Sequence, residues 1–265
     1  MGPDTTGGAV VTRRANGLVT TGCLTVLMAL IVVLGIVVSW LWYRAWHDGN
    51  VNREREEKAF AAIGKQARAT AHDTARALGT SGTTDADALT EVVWRHTEAP
   101  VIAYDASRRE FTATDARTAQ YDNRLLLPGG GPVEVTRCFV FTYTYRPGQA
   151  WTSRISERDD DVCRPGTEIG HMVRLALQRI SNMYAEDLTR AGVQNALDPT
   201  GRRSFDVKSV VREGDTTTVS AVVSSSGPAV DQCYRFTRPA PGGEGRGPAT
   251  AVPTSSCCPC GPDAR

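Results

Sequence analysis

The residues whose spacing could carry chemistry lie near the end of the chain, in Cys257-Cys258-Pro259-Cys260. Cys257 and Cys260 have the C-x-x-C spacing of dithiol redox centres and of half a zinc site. Redox work needs a thiolate of lowered pKa, usually held at a helix N-terminus. Gly261-Pro262 follows instead, so no helix is expected there. A closed zinc site needs four ligands, and the sequence offers no second cysteine pair or adjacent histidine. Cys257 and Cys260 therefore stand as redox candidates, with structural or incidental thiols the favoured reading.

The four histidines, His47, His72, His96 and His171, are scattered. None has a histidine four residues on or an H-E-x-x-H pattern, so they read as solvated or packed side chains. Asp159-Asp160-Asp161 supplies carboxylates for a calcium ion but lacks the alternating oxygen ligands and late glutamate of a calcium loop; a solvated loop is expected. No nucleophile elbow, phosphate-binding glycine loop or dinucleotide fingerprint occurs. The sequence thus assigns no catalytic, cofactor-binding or metal residue and implies no cofactor, and it leans away from an enzyme.

The remaining cysteines suggest staples. Laid on each other at an offset of 95 residues, Cys138-Phe-Val-Phe-Thr142 matches Cys233-Tyr-Arg-Phe-Thr237, Val135 matches Val230, Arg137 meets Gln232, and Cys163 falls on Cys258. Both segments place aromatics on one strand face and the cysteine on the other. Two readings stand: an internal duplication, which would pair Cys138 with Cys163 and Cys233 with Cys258, or chance agreement of two aromatic strands, since the helices do not align at the same offset. Six cysteines allow 15 connectivities. A loop of this length is worth about 3 kcal/mol per bridge in the chain-entropy account.

The elements that must position these residues begin with an apolar run. No charge occurs from Ala15 to Tyr43, and the stretch beginning at Leu18 is long enough for the roughly 20-residue helix that crosses a bilayer. Trp40, Trp42, Tyr43 and Trp46 gather at its end, at headgroup level. A cleaved signal has a shorter apolar core and small residues before the cut, so the anchor is expected to stay. Thr12-Arg13-Arg14 lacks the apolar pair of a twin-arginine signal, and Cys23 precedes the apolar run where a lipidated cysteine would follow one. Arg13 and Arg14 precede the helix and Arg44, Arg53, Arg55 and Lys58 follow it, a count that by itself puts the C-terminal side in the cytoplasm. Long domains, however, translocate largely regardless of charge, and the even number of cysteines beyond the helix points the other way. That even number suits an oxidising compartment outside the cytoplasm.

Beyond the anchor, Phe60, Ile63, Ala67, Ala71, Ala75 and Leu78 recur at helical spacing, which predicts a stalk helix interrupted near Gly49. A short helix is expected over Asp85 to His96. Strands are expected over Val101 to Asp105, Glu110 to Thr114 and Val133 to Tyr145. A helix capped by Thr167 is expected to run through Ile169, Val173, Ala176, Ile180, Met183, Tyr184 and Leu188 to Gly192. Phe205 to Glu213 and Thr216 to Val223 form a hairpin about Gly214-Asp215, and Val230 to Thr237 is the last strand expected. The fold class is α+β: a cytoplasmic tail over 1–14, a membrane helix over 15–46, a stalk over 47–79, two similar helix-hairpin-strand halves over 80–165 and 166–238, and a disordered tail over 239–265.

Three lysines against 27 arginines, with abundant Ala, Gly and Thr, resemble the composition of a GC-rich genome. The layout is similar to that of actinobacterial single-pass membrane proteins, a resemblance of habit rather than of a family motif. It implies an anchored exported domain.

A formal net charge of +1 over 265 residues excludes a strongly basic nucleic-acid binder. The favoured reading is a membrane-anchored extracytoplasmic interaction or ligand-binding module, perched on the cell membrane by one helix with its N-terminus cytoplasmic. Its expected partners are the bilayer and an extracytoplasmic protein or small ligand, in a cell-envelope or secretion accessory role. The alternatives are a thiol-disulfide oxidoreductase using the terminal cysteines and a pilin-like subunit, though the latter lacks an acidic residue just inside the apolar run.

Overall fold

A computed structural model describes residues 15–123, 130–202, 204–227, 229–239 and 247–257. It divides into two units, Met1–Glu57 with Tyr121–Val133, and Lys58–Gln120 with Glu134–Arg265.

Helix α1 covers Ala15–Thr80. Its part in the first unit carries the apolar run, and every side chain from Leu24 to Trp46 is exposed. This is a helix long and apolar enough to cross a membrane. The expected interruption near Gly49 does not occur. A lone glycine weakens a helix by only about 1 kcal/mol relative to alanine, and the Arg44–Asp48 ion pair spans the turn before it. In the same unit Arg55 Nη1 donates to the Asp122 carbonyl at 2.7 Å.

From Lys58 onward α1 belongs to the second unit and is a core helix rather than a free stalk. Ala59, Ile63, Ala67, Ala71, Thr74 and Leu78 form a buried stripe at spacings of three and four. Small residues on that stripe let the sheet approach closely. Thr74 and the other buried threonines Thr90 and Thr97 satisfy their hydroxyls by donating to the carbonyl four residues back.

Helix α2 (Ala86–Thr97) starts at Asp85, whose carboxylate accepts from the Ala88 N–H, and ends at Glu98 in the left-handed region. Four strands follow: β1 (Val101–Asp105), β2 (Glu110–Asp122), β3 (Pro132–Thr144) and β4 (Thr152–Arg158), in that order within one sheet. Buried Phe111, Ala113, Phe139, Phe141 and Tyr143 alternate along β2 and β3.

Helix α3 (Asp160–Asn182) then opens a second round. It begins seven residues before the expected cap at Thr167, because the Asp159 to Asp161 run is its N-terminus and not a loop. Acidic side chains there complement the positive end of the helix dipole, and Pro165 lies inside the helix in its second turn, where it leaves the Asp161 carbonyl without its i+4 N–H. It also ends early: Met183, Tyr184 and Leu188 leave the stripe, a single 3-10 turn covers Ala185–Asp187, and α4 (Arg190–Leu197) follows. Gly192 therefore lies inside α4 instead of closing α3. A Cβ at that position would stand 2.2 Å from the Asp187 carbonyl oxygen, and the Gly192 N–H donates to the capping Thr189 hydroxyl at 3.1 Å.

The second sheet orders β5 (Phe205–Glu213), β6 (Thr216–Ser224), β7 (Asp231–Pro239) and β8 (Thr250–Thr254), antiparallel throughout. Ile169, Val173, Ala176 and Ile180 of α3 join Val193 and Leu197 of α4 over Val207, Val219, Ala221, Val223, Tyr234 and Phe236. Gln194 protects the exposed edge of β5: its Oε1 accepts the Val207 N–H and its Nε2 donates to the Phe205 carbonyl.

The architecture is α+β with two rounds of long helix, short helix and four-stranded sheet. Two strands, β4 and β8, were not expected from sequence, and β8 falls within the segment 239–265 read as a disordered tail. The fixed offset also fails away from β3 and β7. Val101 corresponds to Phe205 and Glu110 to Thr216, wider spacings than 95 residues, because the β2–β3 arm is longer than its β6–β7 counterpart.

Candidate functional site

The disulfides come first, because they decide which thiols remain for chemistry. Cys138 on β3 is bonded to Cys163 in the first turns of α3, with Cα atoms 5.6 Å apart. Cys233 on β7 is bonded to Cys257, Cα atoms 5.1 Å apart, and not to the expected Cys258. The two bridges share a plan. Cys138 lies opposite Arg158 at the end of β4, Cys233 opposite Thr254 at the end of β8, and each reaches a cysteine just beyond that strand. The first is reached through one turn of α3 and the second directly off β8, so the second connection is shorter and a fixed offset overshoots to Cys258. Cys257 is thereby engaged with Cys233 rather than with Cys260. Cys258 and Cys260 lie outside the described residues.

The histidines are not brought together. His47 stacks against Tyr43, His72 sits beside Arg76 and Asp73, and His96 and His171 are exposed on separate helices. Among the described residues no group of three His, Cys, Asp or Glu side chains is placed to hold a metal.

A partly buried polar cluster fastens the first sheet to the end of α2. The Arg117 guanidinium lies 2.6 Å from the Asp115 carboxylate and donates to the Thr97 carbonyl at 2.6 Å. Burial raises the Asp115 pKa to about 6, outweighing the opposing pull of Arg117. Burial likewise pushes the Tyr143 hydroxyl up to about 12. The Asp115–Arg117–Thr97 contacts tie β2 to α2.

The feature best shaped for a ligand is a cavity of about 610 Å³ in the second unit. Its walls are the end of α1 (Leu78, Gly79), the α1–α2 connection (Gly82 to Thr84), Leu89, Tyr104 of β1, Arg109 of the β1–β2 turn, and the β3–β4 connection with Tyr145 and Trp151. The rings are held by their neighbours. Tyr104 stacks on buried Phe111 at 4.4 Å, Phe111 meets Trp151 at 5.8 Å, and Trp151 meets Tyr145 at 5.3 Å. The Tyr145 N–H donates to the Arg109 carbonyl at 3.1 Å, which locks the turn to the end of β3. Trp151 also lines a second, adjoining hollow with His72, Arg76 and Thr152. This arrangement can bind a ring, and its lining carries the hydroxyls of Thr83, Thr84, Tyr104 and Tyr145 beside the Arg109 guanidinium.

Sequence reading named none of these lining residues as a site. Tyr104 and Tyr145 read as ordinary strand aromatics, and Trp151 fell in an unassigned stretch. The available signal was a lone tryptophan following Pro147-Gly148, where a loop had no core reason to carry one.

No family model matches this chain, and no curated protein is similar to it. Among solved structures it is similar to an Ntf2-like protein involved in plasmid conjugation, at 10% identity over 61% of this chain and 77% of that one, with a TM-score of 0.15. A superposition that loose shows neither a shared fold nor a shared role.

Proposed function

We propose that the chain is a membrane-anchored extracytoplasmic module that binds a partner or small ligand, held to the cell membrane by α1 with its N-terminus in the cytoplasm. The observation that carries this reading is the apolar half of α1. From Leu24 to Trp46 no side chain is covered by protein, and an apolar surface of that length in water would be a severe liability unless lipid covered it.

Two disulfides support export, since such bonds persist in oxidising compartments. The aromatic cavity supports a binding role, being within the range of roughly 300 to 1,000 Å³ that ligand pockets occupy. The near-neutral charge gives no attraction to nucleic acid. Alkaline carbonate washing of membranes tests the anchor: the full-length chain stays in the pellet, whereas release into the wash, or a mature N-terminus beyond Trp46, overturns the reading.

A further inference from the structure

We propose that the cavity bounded by Tyr104, Arg109, Tyr145 and Trp151 binds an organic anion built on a ring, with the indole and phenol faces taking the ring and Arg109 taking the charge. This deepens the proposed function and rests on its ligand-binding half, but not on the membrane topology.

The charge arrangement is one-sided. Among the described residues Arg109 is the one charged side chain lining the cavity, and no carboxylate of those residues lines it. Neighbouring acids are engaged elsewhere: Asp105 accepts from Ser107 and Arg108, and Glu110 accepts from the Thr144 hydroxyl. The Arg109 guanidinium lies 5.7 Å from the Tyr145 ring centroid. A guanidinium drawn to a ring keeps its N–H donors for an oxygen pair, the geometry that suits carboxylate, sulfate or phosphate.

The backbone at Arg109 carries a second, independent sign. Its φ is 49°, in the left-handed region. Glu98, the other described non-glycine residue with positive φ, is a helix C-cap, a place where that conformation is ordinary. In the corresponding hairpin of the second round, between β5 and β6, the left-handed residue is Gly214, at φ 55°. One hairpin uses the residue that adopts this conformation without cost, and the other puts an arginine there. A left-handed non-glycine backbone in the lining of an aromatic cavity is the pattern of a functional position.

The rings provide the other half of the ligand. Trp151, Tyr104 and Tyr145 are only half-buried, so each keeps surface for a ligand while Phe111 behind them is fully covered. Thr84 and Gln149 add polar groups at the rim. Either an aromatic ring or the apolar face of a pyranose fits such a wall, so the shared chemistry is a ring bearing one anionic group.

Calorimetric titration of the full chain in lipid nanodiscs tests this with phenyl β-D-glucuronide and phenyl β-D-glucoside, which differ in a carboxylate against a hydroxymethyl. Free glucuronate and 2-naphthoate separate the two ring sources, and binding of either supports the proposal and names the ring. The glucuronide is expected to bind about tenfold tighter than the glucoside, the worth of one charge-assisted contact. Arg109→Gly relieves the positive φ, so its melting temperature holds or rises while the preference disappears. Trp151→Phe weakens both aryl glycosides and keeps their ratio. Equal binding of the two glycosides, a preference that survives in Arg109→Gly, or no binding by any of the four probes overturns the inference. A chain that ignores all four yet stays in carbonate-washed membranes loses this inference and keeps its anchor.

Discussion

The Gln232 carboxamide oxygen accepts the backbone N–H of Ile102 at 2.8 Å, and this bond joins the two sheets. Gln232 lies on β7 and is buried, with its Nε2 donating to the Thr254 and Cys233 carbonyls at 3.1 Å. Nearby, Tyr234 donates its hydroxyl to the Pro100 carbonyl at 2.6 Å, and Asp87 of α2 accepts the Ser255 N–H at 2.8 Å. The two rounds are thus fastened by polar bonds at the start of β1 and the end of β8. Replacing Gln232 by Leu orphans a buried donor and a buried acceptor and costs about 2 kcal/mol or more. A denaturant midpoint within error of the parent would refute the joint.

The Asp115 carboxyl makes stability depend on pH. Its folded pKa, about 6, is above the ordinary value of 3.8. The folded state therefore binds the proton more tightly than the unfolded chain does. This contribution is fully present below pH 3.8 and is lost as pH rises to about 6. A shift of this size corresponds to about 3 kcal/mol at most. Melting temperatures of Asp115→Asn compared with the parent between pH 4 and 7 check it: the parent loses stability relative to the variant as pH rises, and parallel curves would contradict the assignment.

Peptide mapping under non-reducing conditions is expected to recover Cys138–Cys163 and Cys233–Cys257. The loops they close separate the cysteines by 25 and 24 residues, so Cys233→Ser is expected to cost about 3 kcal/mol. A Cys233–Cys258 peptide would restore the fixed-offset pairing and contradict the shorter connection off β8.

Gly192 is the tightest glycine in the described residues. Its missing Cβ would collide with the Asp187 carbonyl oxygen, which belongs to a backbone turn that cannot swing aside. Gly192→Ala is expected to destabilise by about 1 to 3 kcal/mol, and thermal melting reads this directly. A neutral result would mean that the turn before α4 is free to shift.

Much of this architecture was legible because its elements have one wet and one buried face. The α1 stripe from Ile63 to Leu78, the α3 stripe from Ile169 to Ile180 and the alternation of β3 and β6 all announce themselves by period. The strands that escaped are edges. β4 reads Thr-Ser-Arg-Ile-Ser-Glu-Arg and is mostly exposed, so no apolar alternation marks it; β8 contains Pro253, which an edge strand tolerates and a sequence reading takes as a breaker. The end of α3 was misplaced because Met183 and Leu188 keep helical spacing while packing from a turn instead. The cavity was invisible for another reason: Tyr104 lies on β1, Arg109 on the β1–β2 turn and Trp151 on the β3–β4 connection, and only the fold brings them to one wall. The cysteine pattern gave the strand positions of both bridges but not the length of the second closure.

The placement of the domain is tested most directly by adding protease to intact cells that carry epitope tags at both ends of the chain. The account predicts that the C-terminal tag and the segment beyond Trp46 are digested, while the N-terminal tag with α1 up to Trp46 is protected until the membrane is opened. Protection of the C-terminal tag in intact cells, with digestion only after permeabilisation, would place the disulfide-bonded domain in the cytoplasm and contradict it.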